Sequence, residues 1–119
     1  MTGRRAPVRR ADDDGAGGIL AIAIVAATVC AALAVFALAT ALAAHHRAAT
    51  AADAAALAAA DVVLGVAPGD PCAWAERVAS AHRATLVGCR VEGAVASVTV
   101  RVEAAVGALA VSSRAGPAP

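Results

Sequence analysis

The fold is decided by residues 15–44, which read GAGGILAIAIVAATVCAALAVFALATALAA. This run contains no charged residue, and its hydroxyl side chains, Thr28 and Thr40, can each bond back to a helix carbonyl. Thirty helical residues rise about 45 Å, more than the roughly 30 Å hydrocarbon core of a bilayer. Hydropathy is uniform around the helix, as contact with lipid on most sides requires. We therefore predict a transmembrane helix over residues 15–44.

A cleaved signal peptide is the alternative interpretation of this segment. The arginine-rich start of the chain fits it, and small residues near Ala39, Ala41 and Ala43 offer cleavage sites. The apolar region of a signal peptide is usually about 7–15 residues long, however, and this run is much longer. The length of the run therefore favours a membrane-spanning helix.

The charges that flank the run predict its orientation. Residues 1–14 carry four arginines followed by three aspartates, whereas one arginine, Arg47, follows the run directly. Because basic residues beside a span stay in the cytoplasm and acidic residues count little, we predict a single-pass protein of the cell membrane with a cytoplasmic N-terminus and an extracytoplasmic head. Residues 1–14 are polar and contain proline, which predicts a disordered tail.

The helix is predicted to continue outside the membrane through residues 45–64. His45, His46 and Arg47 mark the outer interface, and the sequence then holds mostly alanine, with no glycine or proline before Gly65. Alanine is the best helix former, so continuation of the helix is favoured. Such a surface of small side chains buries little by itself and suits close packing against another helix.

Residues 65–119 are predicted to form a small α+β head. Asp70 followed by Pro71 is typical of a helix start, with an N-cap acceptor and then proline at the first helical position. This short helix is expected to run to about Arg83. Its apolar face consists of Cys72, Ala75, Val78 and Ala79.

Two alternating stretches and a weaker third predict an antiparallel sheet of two or three strands after the short helix. The first strand is expected to place Val87, Cys89 and Val91 on its apolar face and to end in a turn at Glu92 and Gly93. The next stretch is the clearest period-two pattern in the chain, and it is followed by the weaker one. The apolar positions of these two stretches are Val98, Val100, Val102, Leu109 and Val111. The predicted fold is a membrane-anchored α+β protein.

Composition argues against an enzyme. The chain has no lysine, which excludes a Walker A phosphate loop and Schiff-base chemistry. A formal net charge of +1 and an aromatic content of 2% do not favour nucleic-acid binding. His45 and His46 are neighbours and point about 100° apart on a helix, so they cannot share a metal at the usual helical spacing. We predict no catalytic, cofactor-binding or metal site and no nucleic-acid partner.

Cys72 and Cys89 are predicted to form a disulfide. Both lie on apolar faces that point into the layer between helix and sheet, where their Cα atoms can come within the roughly 4.4–6.8 Å of a bridge. The predicted extracytoplasmic side keeps such a bond oxidised. Their spacing matches no zinc motif. Cys30 falls within the predicted span and is interpreted as a small apolar packing residue.

A row of small residues inside the predicted span favours association of helices. Ala23, Ala27 and Ala31 recur every four residues, a spacing that lets two helices approach closely in lipid. Alanine is so frequent in this chain that such a row also arises by chance. An interface at this row is therefore one interpretation, and an accident of composition is the other.

Several features together resemble the TadE/TadG-like pseudopilin proteins of Flp (Tad) pilus and secretion systems. They are the arginine-rich tail, the membrane helix that begins with glycine, the AADAAALAAA stretch at residues 51–60 and the small β-rich head. The segments GDPC, residues 69–72, and LVGCRVEG, residues 86–93, resemble the actinobacterial branch called helicase/secretion neighbourhood TadE-like proteins. The resemblance extends over about residues 14–117.

The resemblance implies a pilin-like fold and a minor pilin-like structural or assembly component of a Flp/Tad-type pilus or type II-like secretion system. The implied partners are other pilin-like subunits, secretion-system membrane proteins and the lipid bilayer. A membrane-anchored head that binds a ligand or partner protein in the envelope, unrelated to pili, is the alternative.

One feature departs from the family's pattern. Pilin precursors are cut after a glycine, and the mature chain usually carries glutamate at its fifth position. Cuts after Gly15, Gly17 and Gly18 would instead place Leu20, Ile22 and Ala23 at that position. The departure puts processing and entry into a fibre in question.

Overall fold

The computed structural model describes residues 2–4, 11–105 and 107–119, with the side chains of residues 11–14 excepted. In chain order it contains two helices and three strands: α1 (Ala11–Val63), α2 (Pro71–Ala81), β1 (Thr85–Glu92), β2 (Val95–Ala104) and β3 (Gly107–Ala115). The strands form one antiparallel sheet in the order β1-β2-β3. The predicted fold class, a long apolar N-terminal helix followed by a short helix and an antiparallel sheet, is confirmed.

Helix α1 begins earlier than the sequence indicated. It starts at Ala11, inside the segment 1–14 for which a disordered tail was predicted, and residues 5–10 of that segment lie outside the described residues. By their contacts the residues divide into two compact units, Met1–Ala37 and Leu38–Pro119. The second unit begins well before the predicted head at residue 65, because part of α1 belongs to its core.

The first part of α1 is bare. From Gly15 to Ala43 every residue is exposed, and Thr28 satisfies its hydroxyl by donating to the Val25 carbonyl oxygen at 2.8 Å. The helix is apolar and long enough over Gly15–Val63 to cross a membrane, by length and composition. Its large exposed apolar side chains are Ile19, Leu20, Ile22, Ile24, Val25, Val29, Leu33, Val35, Phe36, Leu38 and Leu42.

The later part of α1 is built into the head. One face of it is made entirely of buried alanines, and all of these except Ala44 join a single apolar cluster with α2 and the sheet. The expectation that this surface packs against another helix is wrong for this face, because the chain's own sheet covers it. The alanines concerned are Ala44, Ala48, Ala51, Ala52, Ala55, Ala56, Ala59 and Ala60.

The central strand β2 supplies the sheet side of this core. Its alternate residues are buried, as the period-two pattern predicts, and Val98 and Val100 are the largest fully buried side chains among the described residues. Strand β3, predicted as weak, is a full strand of nine residues paired with β2 along its whole length. Alanine on α1 and valine on β2 therefore lie in the same buried cluster.

Strand β1 contains an irregularity that the alternation pattern did not reveal. The register with β2 shifts between Leu86 and Gly88, which is a β-bulge, so that Leu86 takes the inward position opposite Val100. Val87, predicted on the apolar face, is 51% exposed at the bulge. An extra residue in one strand shifts every side chain on one side of it by one position. The pattern is therefore right for Cys89 and wrong for Val87.

Candidate functional site

The start of α2 is fixed by the cap that the sequence predicts. Asp70 has an extended backbone, and its carboxylate Oδ1 accepts a hydrogen bond from the backbone N–H of Ala73 at 2.7 Å. Pro71 occupies the first turn, where its missing N–H costs nothing. The helix ends at Ala81, two residues before the expected Arg83, which has a left-handed φ of 57° and turns the chain toward β1.

A disulfide joins α2 to the sheet. Cys72 lies in the first turn of α2 on its half-buried face, and Cys89 lies on β1 opposite the buried Val98. Their Cα atoms are 5.9 Å apart, and the structure joins their Sγ atoms. The bridge therefore lies in the layer between the helix and the sheet, where the sequence placed it, and it limits how far α2 can move from β1.

The loop between the two helices is closed by Trp74. Its indole Nε1 donates to the Pro68 carbonyl oxygen at 2.9 Å, and the Arg77 guanidinium lies 5.4 Å from its ring centroid. Gly69 passes close to the ring with φ +115°, and a Cβ there would meet Trp74 Nε1 at 3.1 Å. Sequence analysis singled out none of these contacts, although the pairing of tryptophan with a nearby glycine and proline is a signal for such a closed loop.

One side-chain hydrogen bond ties the third strand to the long helix. Ser113 Oγ on β3 donates to Asp53 Oδ1 on α1. Ser113 lies on the inward side of β3, and Asp53 is exposed on α1 next to the buried Ala52. The bond therefore fixes how far β3 can slide along α1, which the alanine contacts alone define poorly because their surface is smooth.

The outer face of the sheet, turned away from α1, is polar. The register places Arg90, Ser97 and Arg114 in one row across the three strands, and the next row holds Thr99 and Ser112, whose hydroxyls are 2.8 Å apart. A shallow depression of about 650 Å³ lies over these rows. Such a surface can form hydrogen bonds and salt bridges with a partner protein. The sequence pattern identified these positions only as outward-facing.

The small-residue row is exposed on α1. Ala23, Ala27 and Ala31 lie on one side of the bare part of the helix, and no described residue of the chain covers them. Cys30 is a free thiol and is also exposed there. Packing of a second helix on this row stays a prediction.

The described elements define a class of protein: a long helix whose first part is bare and apolar and whose later part carries a small disulfide-linked head. Comparison with protein families agrees with the resemblance found in the sequence. The model of the family described as putative Flp pilus-assembly TadE/G-like matches residues 15–62, which is nearly all of α1 and less than half of the 119-residue chain. The predicted TadE/TadG-like relationship is confirmed over this helix, while the head lies outside the match.

The other comparisons add no relatives. No curated protein and no solved structure matches the chain significantly.

Proposed function

We propose that the chain is a minor pilin-like structural or assembly component of a Flp/Tad-type pilus or type II-like secretion system, held in the cell membrane by α1. The observation that carries the proposal is the match of residues 15–62 to the Flp pilus-assembly family. The division of α1 supports it, because pilin-like subunits need one bare stretch of helix for lipid or neighbouring helices and a second stretch that carries the head.

The proposed partners are other pilin-like subunits and membrane proteins of the secretion machine. The bare part of α1 meets them through Ala23, Ala27 and Ala31, since small side chains let two helix backbones approach closely in lipid. The head meets them through surfaces that its own core leaves free. No catalytic step is assigned to any residue.

Deletion of the gene tests the proposal. It should abolish or reduce adhesion, or export of the machine's cargo, and the wild-type gene should restore it. Ala27→Phe should complement poorly, whereas Ala32→Phe, the same change on another side of the helix, should complement well, because lipid tolerates phenylalanine and a close helix interface does not. Normal adhesion and export in the deletion strain would contradict the proposal. Full complementation by Ala27→Phe would contradict only the proposed role of the alanine row in helix packing and would leave the proposed function intact.

The N-terminal processing of a fibre subunit is proposed to be inefficient here. The residues at the fifth position after Gly15, Gly17 and Gly18 are all apolar, where the family usually carries glutamate. Intact-mass measurement of the membrane-extracted protein should therefore retain residues 4–14. A mature chain that starts at Ala16, Gly18 or Ile19 would instead favour a true fibre subunit over an assembly factor.

The proposed orientation places the N-terminus in the cytoplasm and the head outside. It follows from the four arginines before the apolar run and the single one directly after it. A reporter that is active only outside the membrane should be active when fused after Pro119. Activity restricted to fusions placed before Gly15 would reverse the orientation.

A further inference from the structure

We propose that the head makes a second contact with the membrane: the end of the β2–β3 hairpin rests in the phospholipid headgroup layer beside α1. The described residues of this hairpin end are Ala104, Ala105, Gly107 and Ala108. The inference depends on the proposed membrane anchor and adds to it a fixed height of the head above the bilayer.

Strand β3 runs alongside α1 in the same direction, which decides which end of the head is near the membrane. At its start, Leu109 lines a cavity of about 580 Å³ together with Ala44 and Arg47 of α1. At its centre, Ser113 bonds to Asp53. At its end, Ala115 and Gly116 line a different cavity together with Ala60 and Leu64. The β2–β3 end of the sheet is therefore the end beside residues 40–47 of α1, and the β1–β2 turn is at the opposite end of β2.

The hairpin end lies at the level where the lipid-facing surface of α1 stops. The large exposed apolar side chains of α1 end at Leu42, and the next one along the helix is Leu57. The cavity beside the hairpin end is lined by α1 residues 40, 41, 44, 45 and 47, which bracket this limit. A helix of thirty uncharged residues rises about 45 Å, which equals the thickness of a bilayer with its headgroups, about 40–45 Å. Residues 40–47 therefore lie at the headgroup layer.

The chemistry of the hairpin end fits this layer. The turn itself, from Ala104 to Ala108, is uncharged; the charge nearest to it is Glu103, which lines the same cavity as Arg47. The exposed backbone of a turn needs hydrogen-bond partners and cannot enter hydrocarbon, but headgroups and interfacial water satisfy it. An uncharged turn of small residues therefore settles in the headgroup layer and goes no deeper.

Arg47 lies beside the hairpin end and can bind the phosphate of a lipid headgroup. Its Nε donates to the carbonyl oxygen of Ala43, one turn back along α1, at 3.4 Å, so the guanidinium is directed toward the apolar run. Arginine binds phosphate oxygens with a planar set of donors. Arg47 on the helix and the small residues of the turn beside it, with Glu103 in the same cavity, are thus two sides of one surface that faces the headgroups.

Headgroup-specific fluorescence quenching tests the proposal on the full chain. The protein is reconstituted into vesicles of phosphatidylcholine and phosphatidylglycerol that contain a lipid with a nitroxide on its headgroup. Two variants are compared, Ala105→Trp at the hairpin end and Ala94→Trp at the β1–β2 turn, about 35 Å away along β2. The native Trp74 stays in both as a reference, since it packs on the loop that follows the far end of α1.

The emission of Ala105→Trp should be quenched several-fold more than that of Ala94→Trp, and Ala108→Trp should repeat the result if Ala105→Trp does not fold. Equal quenching of the two ends, in protein that stays in the membrane after alkaline carbonate washing, would overturn the second contact and leave the anchor intact. Release of the protein by carbonate would instead overturn the proposed anchor, and the second contact with it.

Discussion

The two parts of α1 differ in the size of their apolar side chains and in their surroundings. Between Gly15 and Ala43 the helix carries isoleucine, leucine, valine and phenylalanine, and all of these side chains are exposed. Between Ala44 and Ala60 the inward face is alanine alone, and it is buried under the sheet. The bare part is the more hydrophobic of the two, and the size of the apolar side chains separates them further: large where the helix is bare, small where the head covers it.

Side-chain size matters because the two surroundings differ in shape. Lipid chains are fluid and cover large irregular side chains at no cost in fit. A sheet is rigid, and a face of alanine lets β2 approach the helix closely enough to bury Val98 and Val100 completely. Each alanine buries little area, however, so the head gains less from its core than a leucine-rich head of equal size would. A covalent link between α2 and β1 offsets this deficit.

The largest effect is expected from removing that link. The double variant Cys72→Ala, Cys89→Ala should lose about 3 kcal/mol of the head's free energy of unfolding, because the open chain regains loop entropy. Urea denaturation followed by Trp74 fluorescence measures the change. Cys30→Ala, which removes the free thiol in the bare part of α1, should leave the transition where it is. An unchanged midpoint in the double variant would show that the bridge does not stabilise the head.

A smaller effect is expected from enlarging one alanine of the buried face. Ala52→Leu should lower the free energy of unfolding of the head by about 1–3 kcal/mol, since the added atoms have no space between α1 and the sheet. Ala32→Leu makes the same change in the bare part of the helix and should leave head stability unaltered. If both variants unfold like wild type, the contrast between the two parts of α1 is wrong.

The smallest effect is expected at the hydrogen bond between β3 and α1. Ser113→Ala should cost about 0.5–1.5 kcal/mol, because Asp53 loses its donor. The adjacent Ser112 faces the other side of the sheet and shares a hydrogen bond between two neutral hydroxyls with Thr99, so Ser112→Ala should cost less than loss of a bond to a carboxylate. The same urea titration compares the two variants. A larger loss for Ser112→Ala would show that the inward bond is not needed to hold β3 on the helix.

Local signals predicted most of the elements. The Asp70–Pro71 pair gave the start of α2, the alternation of valine gave β2, and the facing positions of Cys72 and Cys89 gave their bridge. The first two depend on neighbours within one turn or one strand, which the sequence records directly, and the bridge was predicted from the apolar faces that such local patterns assign to the two cysteines.

Two features could not be predicted because they depend on distant neighbours. The bulge at Val87 follows from the pairing of β1 with β2, and a strict alternation of residues gives no sign of it. The packing of α1 on the sheet was missed because alanine predominates in residues 48–60, and the opposite, exposed face is marked by few polar side chains, Thr50 and Asp53. The polar depression on the outer sheet face also appears only when three strands are brought together.

The alanine face of α1 forms one side of the core of the head, and thiol reactivity tests this most directly. In a Cys30→Ala background, Ala52→Cys introduces a small thiol on the covered face, and Thr50→Cys introduces one on the exposed side of the same turn. In micelles that hold one chain each, Thr50→Cys should be alkylated quickly. Ala52→Cys should react orders of magnitude more slowly until urea unfolds the head, when the two rates should converge. Equal rates in the folded protein would contradict the claim and leave the head without the helix as part of its core.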